Sequence, residues 1–136
     1  MKKVIVAAIG FGAIALGSTI AVAGFKNTAG QVTITNNADG TRTISGDMGF
    51  VRNTPDSTQH HGCFHRGDVT GSEMVVCQSR NSAGTSVICS SSDARLMRVV
   101  AGMDSDSTLT YVIASGSTAC NSIVAQTRSQ AAPKAL

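Results

Sequence analysis

Tryptophan is absent from the sequence, and tyrosine occurs once, at Tyr111. Charged residues make up only 14% of the chain, and its seven arginines are scattered along it. Proteins that read nucleic acids usually present a basic stripe with interleaved aromatic side chains. The sequence therefore predicts no nucleic-acid partner.

Motifs of common enzymes are missing as well. The Gly-x-Ser-x-Gly pattern of serine hydrolases does not occur. A Cys-His nucleophile would need a free thiol, which is not expected where four cysteines can form two pairs. The acidic run from Asp104 to Asp106 begins like a calcium loop but lacks the glycine and glutamate that complete one, so we interpret it as a turn. These absences predict a protein that is not an enzyme and uses no cofactor.

One long apolar segment is present, at the N-terminus. Lys2 and Lys3 precede apolar residues 4–16, and Ala21-Val22-Ala23 offers a small-x-small cleavage site. This order is typical of a secretory signal peptide, here residues 1–23. A membrane anchor over residues 4–23 is the alternative, but several glycines weaken it. We expect an exported protein, periplasmic or extracellular, that does not stay in the membrane once the signal peptide is cleaved.

The remaining chain is long enough for one domain. Residues 24–30 are mostly small or polar and predict a flexible lead-in. Residues 31–127 contain the strand and helix patterns, and residues 128–136 predict a flexible tail.

Four cysteines lie in the predicted domain: Cys63, Cys77, Cys89 and Cys120. An even number in an exported chain predicts two disulfides. Four cysteines allow three pairings, and the sequence does not select one. The separations of Cys63 from Cys77 and of Cys77 from Cys89 are both even. Either pair could therefore face one side of a hairpin.

Alternation of apolar and polar residues predicts several short β-strands. Residues 32–35 and 41–44 flank a run of turn residues ending in Asp39-Gly40, which indicates a β-hairpin. Residues 50–52 predict a further short strand, before a turn that contains Pro55.

Residues 59–66, 74–79 and 87–89 predict an antiparallel meander. In the first of its strands, alternation places Gln59, His61, Cys63 and His65 on one face, and His60, Gly62, Phe64 and Arg66 on the other. This meander would carry three of the four cysteines and all three histidines.

A helix and a closing hairpin complete the pattern. Asp93 is suited to cap a helix, and Leu96, Val99, Val100 and Met103 follow at helical spacing, which predicts one amphipathic helix of about 10 residues. Residues 108–114 and 120–126 predict the last two strands. We therefore predict a small, mainly antiparallel α+β domain with one amphipathic helix, stapled by disulfides.

The run Arg52-Asn53-Thr54-x-Asp56-Ser57-x-Gln59-x-x-Gly62-Cys63, the Val76-Cys77 to Cys89 hairpin and the final Cys120 hairpin resemble a loose group of small exported bacterial four-cysteine proteins. The short Pro133-Lys134 tail fits the same group. The resemblance implies no activity and no functional residues, because none is established for the group. His60 and His61 stand where other members carry aromatic and aliphatic residues.

The three histidines are the strongest candidates for a functional site, as metal ligands. Imidazole and thiolate bind zinc and copper, and side chains on one strand face repeat at about 6.6–6.8 Å. His60, His61 and His65 are therefore the candidate metal ligands, with solvated histidines on a strand as the simpler interpretation.

We expect a non-enzymatic exported protein that acts through its surface. It would be a binding module or a structural component of the envelope or extracellular matrix, with a protein or carbohydrate surface as partner. The alternative is a periplasmic metal-binding protein that uses the histidine cluster.

Overall fold

The computed structural model describes residues 30–127. The predicted signal peptide, the predicted tail and the predicted lead-in up to residue 29 lie outside the described residues. In chain order the elements are β1 (Thr33–Asn36), β2 (Arg42–Asp47), α1 (Met48–Asn53), β3 (His60–Gly67), β4 (Glu73–Arg80), β5 (Ser86–Ser91), α2 (Ala94–Ala101), β6 (Thr108–Ile113) and β7 (Cys120–Gln126).

Four of the strands form one antiparallel sheet in the order β1-β2-β6-β7. The predicted first hairpin is confirmed as β1 and β2. Gly40 closes its turn with a φ of 80°, a conformation that favours glycine, and its N–H donates to the carbonyl of Asn37 at 3.0 Å. The predicted closing hairpin is confirmed as β6 and β7.

The other three strands form a second antiparallel sheet in the order β3-β4-β5. The predicted meander is thus confirmed. Cys63, Cys77 and Cys89 lie directly opposite one another across its strands.

Residues 50–52 form part of helix α1, so the prediction of a strand there was wrong. Asp47 is the helix N-cap, and its Oδ1 accepts the N–H of Phe50 at 2.8 Å. The helix ends at Thr54, which is extended because proline follows it. Residues 30–127 therefore contain two short helices, where the sequence predicted one.

Helix α2 is the predicted amphipathic helix. Asp93 caps it as predicted, accepting the N–H of Arg95 at 2.7 Å, and Gly102 ends it. Val100 is buried, while Leu96 and Val99 pack partly against the core.

Buried side chains from both sheets form a single hydrophobic cluster. Ile44, Leu109, Tyr111, Ile113 and Ile123 come from the four-stranded sheet, and Val75, Cys77, Val87 and Cys89 come from the three-stranded sheet. Two disulfides lie in or beside this cluster. The predicted fold class, a small disulfide-bonded α+β domain of mainly antiparallel strands, is confirmed.

The backbone of Gly30 packs against α1. Its carbonyl accepts the N–H of Asp47 at 2.9 Å, and a Cβ at this position would lie only 2.5 Å from Cβ of Phe50. Gly30 is buried. Gly30, the last residue of the segment predicted as a flexible lead-in, is therefore packed against the domain.

Candidate functional site

The three histidines lie on β3 but have different surroundings. His60 and His65 are exposed, whereas His61 is partly buried between the two sheets. Nδ1 of His61 lies 2.6 Å from Oγ of Ser79, and Nε2 lies 2.9 Å from the carbonyl oxygen of Leu109. Leu109 belongs to β6, so this side chain links the two sheets.

The partners of His61 fix where its proton lies. A carbonyl oxygen only accepts, so Nε2 carries the hydrogen and donates it to Leu109. Nδ1 is then the acceptor for the hydroxyl of Ser79. The Oγ of Ser79 in turn accepts the hydroxyl of Tyr111 at 2.7 Å. One directed chain of hydrogen bonds therefore runs from Tyr111 through Ser79 and His61 to Leu109.

Packing holds the His61 ring in this position. The rings of His61 and Tyr111 are stacked, with centroids 6.0 Å apart and planes 17° from parallel. On its other side the ring lies against Gly46, where an added Cβ would come within 3.0 Å of Cδ2. The absence of a side chain at Gly46 thus makes room for the ring between the sheets.

Burial favours the uncharged forms of this network. It lowers the pKa of His61, an effect that the Leu109 carbonyl and the charge of Asp47 oppose and that His60 reinforces. Burial also raises the pKa of Tyr111 to about 12. Ser79 is fully buried, so a substrate has no route to its hydroxyl. The network is suited to join the two sheets.

The structure does not bring the candidate metal ligands together. Within residues 30–127, one group of three potential ligands lies close enough to hold a single ion, and it consists of Cys77, Cys89 and Cys120. All three belong to disulfides. Both ring nitrogens of His61 already have hydrogen-bond partners. An ion at His61 would have to break one of these bonds.

We therefore expect no stoichiometric zinc or copper binding at micromolar concentrations. Equilibrium dialysis of the oxidised protein measures this directly, with a His60→Ala/His65→Ala variant as the comparison. These two side chains are exposed, so the substitutions should leave the fold intact. Tight binding of one ion that the double variant loses would contradict this expectation and support the metal-binding alternative.

The disulfides join Cys63 to Cys77 and Cys89 to Cys120. The first lies within the three-stranded sheet, between directly opposite residues of β3 and β4. The second links β5 to β7 and so connects the two sheets. Two disulfides were predicted, and the structure selects one of the three open pairings.

The polar run before Cys63 holds the loop between α1 and β3. Asp56 accepts the N–H of Thr58 at 2.7 Å and the side-chain amide of Gln59 at 2.8 Å. Gln59 is buried, and its Oε1 accepts the N–H of Val32 at 3.0 Å. Arg52 forms an ion pair with Asp106. The run that carries the sequence resemblance therefore has a structural role in this chain.

The three-stranded sheet has a second face, opposite the cysteines, which we call the outer face. Register and alternation assign it these residues: His60, Gly62, Phe64, Arg66, Met74, Val76, Gln78, Arg80, Ser86, Ile88 and Ser90. Three of them are large, exposed and apolar: Phe64 (46%), Met74 (36%) and Ile88 (53%). They surround a depression of about 410 Å³ that Arg66, Val76 and Thr118 also line.

The charges on the outer face have one sign. Arg66 and Arg80 are its charged residues, and no carboxylate occupies any of its strand positions. The guanidinium of Arg80 donates to the carbonyl of Gly84 at 3.2 Å, at the edge of the sheet. The outer face therefore carries an exposed apolar cluster, two arginines and no acidic strand residue.

Sequence reasoning named some of these residues without assigning them a role. Alternation placed Phe64 and Arg66 together on the far side of β3, but the sequence analysis did not connect them with Ile88. Ser79 and Tyr111 were not predicted as functional or structural partners of His61. Their contacts join residues 18 to 48 positions apart, which local patterns do not reveal.

Comparison of the chain with known proteins identified no similar protein. No protein-family model, curated protein or solved structure matches the chain. Within residues 30–127, neither helix has the length and apolar character needed to cross a membrane.

Proposed function

We propose that this is an exported, non-enzymatic binding protein that recognises a protein partner through the outer face. The exposed cluster of Phe64, Met74 and Ile88 around one depression carries the proposal. Apolar side chains exposed together on a small domain are typical of interaction sites. The sheet behind them is held by a disulfide between β3 and β4, so the surface is preorganised for binding.

The composition of the outer face favours a protein over a carbohydrate. Aromatic residues, methionine and arginine are enriched at the centres of protein interfaces. Phe64, Met74 and Arg66 supply one of each. Sugars are commonly held by stacking on several aromatic rings, and Phe64 is the sole aromatic residue of this face. The tyrosine of the chain is buried, at Tyr111.

Charge defines the partner further. Arg66 and Arg80 attract carboxylates, and no acidic strand residue of the outer face competes with a ligand. We infer a partner segment that combines apolar side chains with aspartate or glutamate. The apolar groups would fill the depression, and the carboxylates would lie near the two arginines.

Export is supported by two features. The N-terminal sequence has the order of a signal peptide, and two disulfides persist best in an oxidising compartment. A protein outside the cytoplasm with an apolar binding face would meet envelope or extracellular proteins.

Peptide display against the immobilised oxidised protein tests the proposal. We expect selected peptides to combine large apolar residues with acidic ones. Ile88→Glu should weaken their binding by at least about tenfold, because it places a charge in the apolar contact. Val124→Glu is the matched control, since Val124 is 46% exposed on β7 of the other sheet. Circular dichroism should show both variants folded.

Reversing the charges gives a second test. An Arg66→Glu/Arg80→Glu variant should shift the selected peptides from acidic to basic residues while retaining their apolar positions. Peptides that bind Ile88→Glu as tightly as the unmodified protein, or that show no charge preference in either selection, would argue against the outer face as the binding site.

A further inference from the structure

The two disulfides lie close to each other. The sulfur atoms of Cys77, Cys89 and Cys120 all lie within 4.8 Å of one another, and Cys63 is bonded to Cys77. Four sulfur atoms thus form one continuous cluster between the sheets. A thiolate formed at Cys77 would already lie beside the Cys89–Cys120 bond.

The four cysteines differ in exposure. Cys77, Cys89 and Cys120 are buried, at 0%, 1% and 5% exposure. Cys63 is partly exposed, and it lies on β3, an edge strand of the three-stranded sheet. Thiol–disulfide exchange requires the attacking thiolate to reach a sulfur atom. An external thiol therefore meets this cluster at Cys63.

We propose that Cys63 is a thiolation site for low-molecular-weight thiols, and that the Cys89–Cys120 disulfide takes up the displaced Cys77 thiolate. In the first step the thiolate of the small molecule bonds to Cys63. The Cys63–Cys77 bond breaks, and its electron pair leaves with the sulfur of Cys77. The product is a mixed disulfide at Cys63 and a thiolate at Cys77.

In the second step the Cys77 thiolate attacks Cys89. The Cys89–Cys120 bond breaks, Cys77–Cys89 forms, and Cys120 leaves as a thiolate that takes a proton. The attacking small thiol has lost one proton and Cys120 has gained one, so the exchange needs no oxidant or reductant. Two disulfide bonds are present before and after the exchange: afterwards one is Cys77–Cys89 and the other is the mixed disulfide at Cys63.

Strand register favours the second step. Cys77 and Cys89 are directly opposite residues of β4 and β5, as Cys63 and Cys77 are of β3 and β4. The new bond therefore joins residues that the sheet already holds side by side. Cys120, the first residue of β7, is the group released.

The exchange changes how the sheets are connected. Cys89–Cys120 links β5 to β7, whereas Cys77–Cys89 lies within the three-stranded sheet. Once Cys120 is released, no disulfide joins the sheets. A small thiol bound at the edge strand β3 would thus remove a covalent link in the core.

The test uses the full mature protein, incubated in native buffer with excess reduced glutathione. Acid quenching, N-ethylmaleimide labelling and non-reducing tryptic mapping then follow. Cleavage after Arg66, Arg80 and Arg95 places the cysteines on separate peptides. We expect glutathione on Cys63, maleimide on Cys120 and a peptide pair joined by Cys77–Cys89.

Other maps would overturn the proposal. Glutathione on a different cysteine, maleimide on Cys77 with Cys89–Cys120 intact, or no adduct at all each contradicts it. The same reaction in denaturant should spread glutathione over all four cysteines, because selectivity comes from the fold. A Cys63→Ala/Cys77→Ala variant that folds should acquire no glutathione, and adducts at its remaining disulfide would count against entry through Cys63.

Discussion

A Cys89→Ala/Cys120→Ala variant is expected to lose about 3–4 kcal/mol of unfolding free energy. This disulfide closes a loop with a sequence separation of 31 residues, and it is the covalent link between the sheets. Cys63 and Cys77 are 14 residues apart and lie on neighbouring strands. Their replacement by alanine should cost less, about 3 kcal/mol. Urea denaturation followed by circular dichroism gives both values.

The comparison between the two variants is the informative measurement. Both remove two sulfur atoms, so the cost of lost packing is partly matched. The longer loop should give the larger loss, because it restricts the unfolded chain more. If the variant lacking Cys63 and Cys77 proved clearly the less stable one, the link between the sheets would not be the dominant covalent constraint in this fold.

Much of the fold follows from local patterns in the sequence. Alternation marks the strands, Asp39-Gly40 marks a hairpin turn, and Asp93 marks the start of α2. These signals depend on neighbours a few positions apart, which is why they can be recognised without a structure. The fold class was predictable for the same reason.

Helix α1 shows where such patterns are ambiguous. Three residues rich in apolar character, 50–52, fit a short strand and a short helix equally well. The signal that decides between them is Asp47, whose carboxylate caps the helix and also accepts the hydroxyl of Thr108 at 3.2 Å. The second contact comes from β6, so the cap is reinforced by a residue far along the chain.

The disulfide pairing depended on tertiary structure altogether. Cys77 lies directly opposite both Cys63 and Cys89, so either partner was possible within the sheet. Cys120 approaches from the other sheet and takes Cys89, which leaves Cys63 for Cys77. Sequence separation contains no information about that approach.

The outer face could have been found from the cysteines. Disulfide-bonded cysteines point into the domain, so residues one position away point outwards. Phe64 follows Cys63, Val76 precedes Cys77, and Ile88 precedes Cys89. The apolar neighbours of the three cysteines therefore lie together on the opposite face. What the sequence could not show is that no other part of residues 30–127 covers this face, since that depends on where the helices and the second sheet pack.

His61 makes the stability of the domain sensitive to acid. Its neutral ring accepts from Ser79 through Nδ1 and donates to Leu109 through Nε2. A protonated ring would donate from both nitrogens. Ser79 would then accept from His61 and from Tyr111, and its own hydrogen would have no acceptor in the chain of bonds. A buried donor without a partner costs about 1–3 kcal/mol.

Stability should accordingly fall as the pH drops below about 6.5, the ordinary pKa of histidine. Above that value His61 is neutral in both states and its contribution is complete. Below it the unfolded chain binds a proton that the folded protein, with its lowered pKa, still excludes. The loss grows until the folded His61 itself becomes protonated. The free energy of unfolding, measured by urea denaturation at several pH values between pH 8 and pH 5, follows this effect.

A His61→Gln variant should remove this dependence. Its amide can still donate to Leu109, but it does not titrate, and its weaker fit to Ser79 should cost about 1–3 kcal/mol at neutral pH. His65→Gln is the matched control, since His65 is exposed on the same strand and its replacement leaves the link between the sheets in place. An acid dependence that persists in His61→Gln would mean that another group controls it. If the acid dependence disappears in His61→Gln but not in His65→Gln, the imidazole of His61 is the contact through which pH acts on the packing of the two sheets.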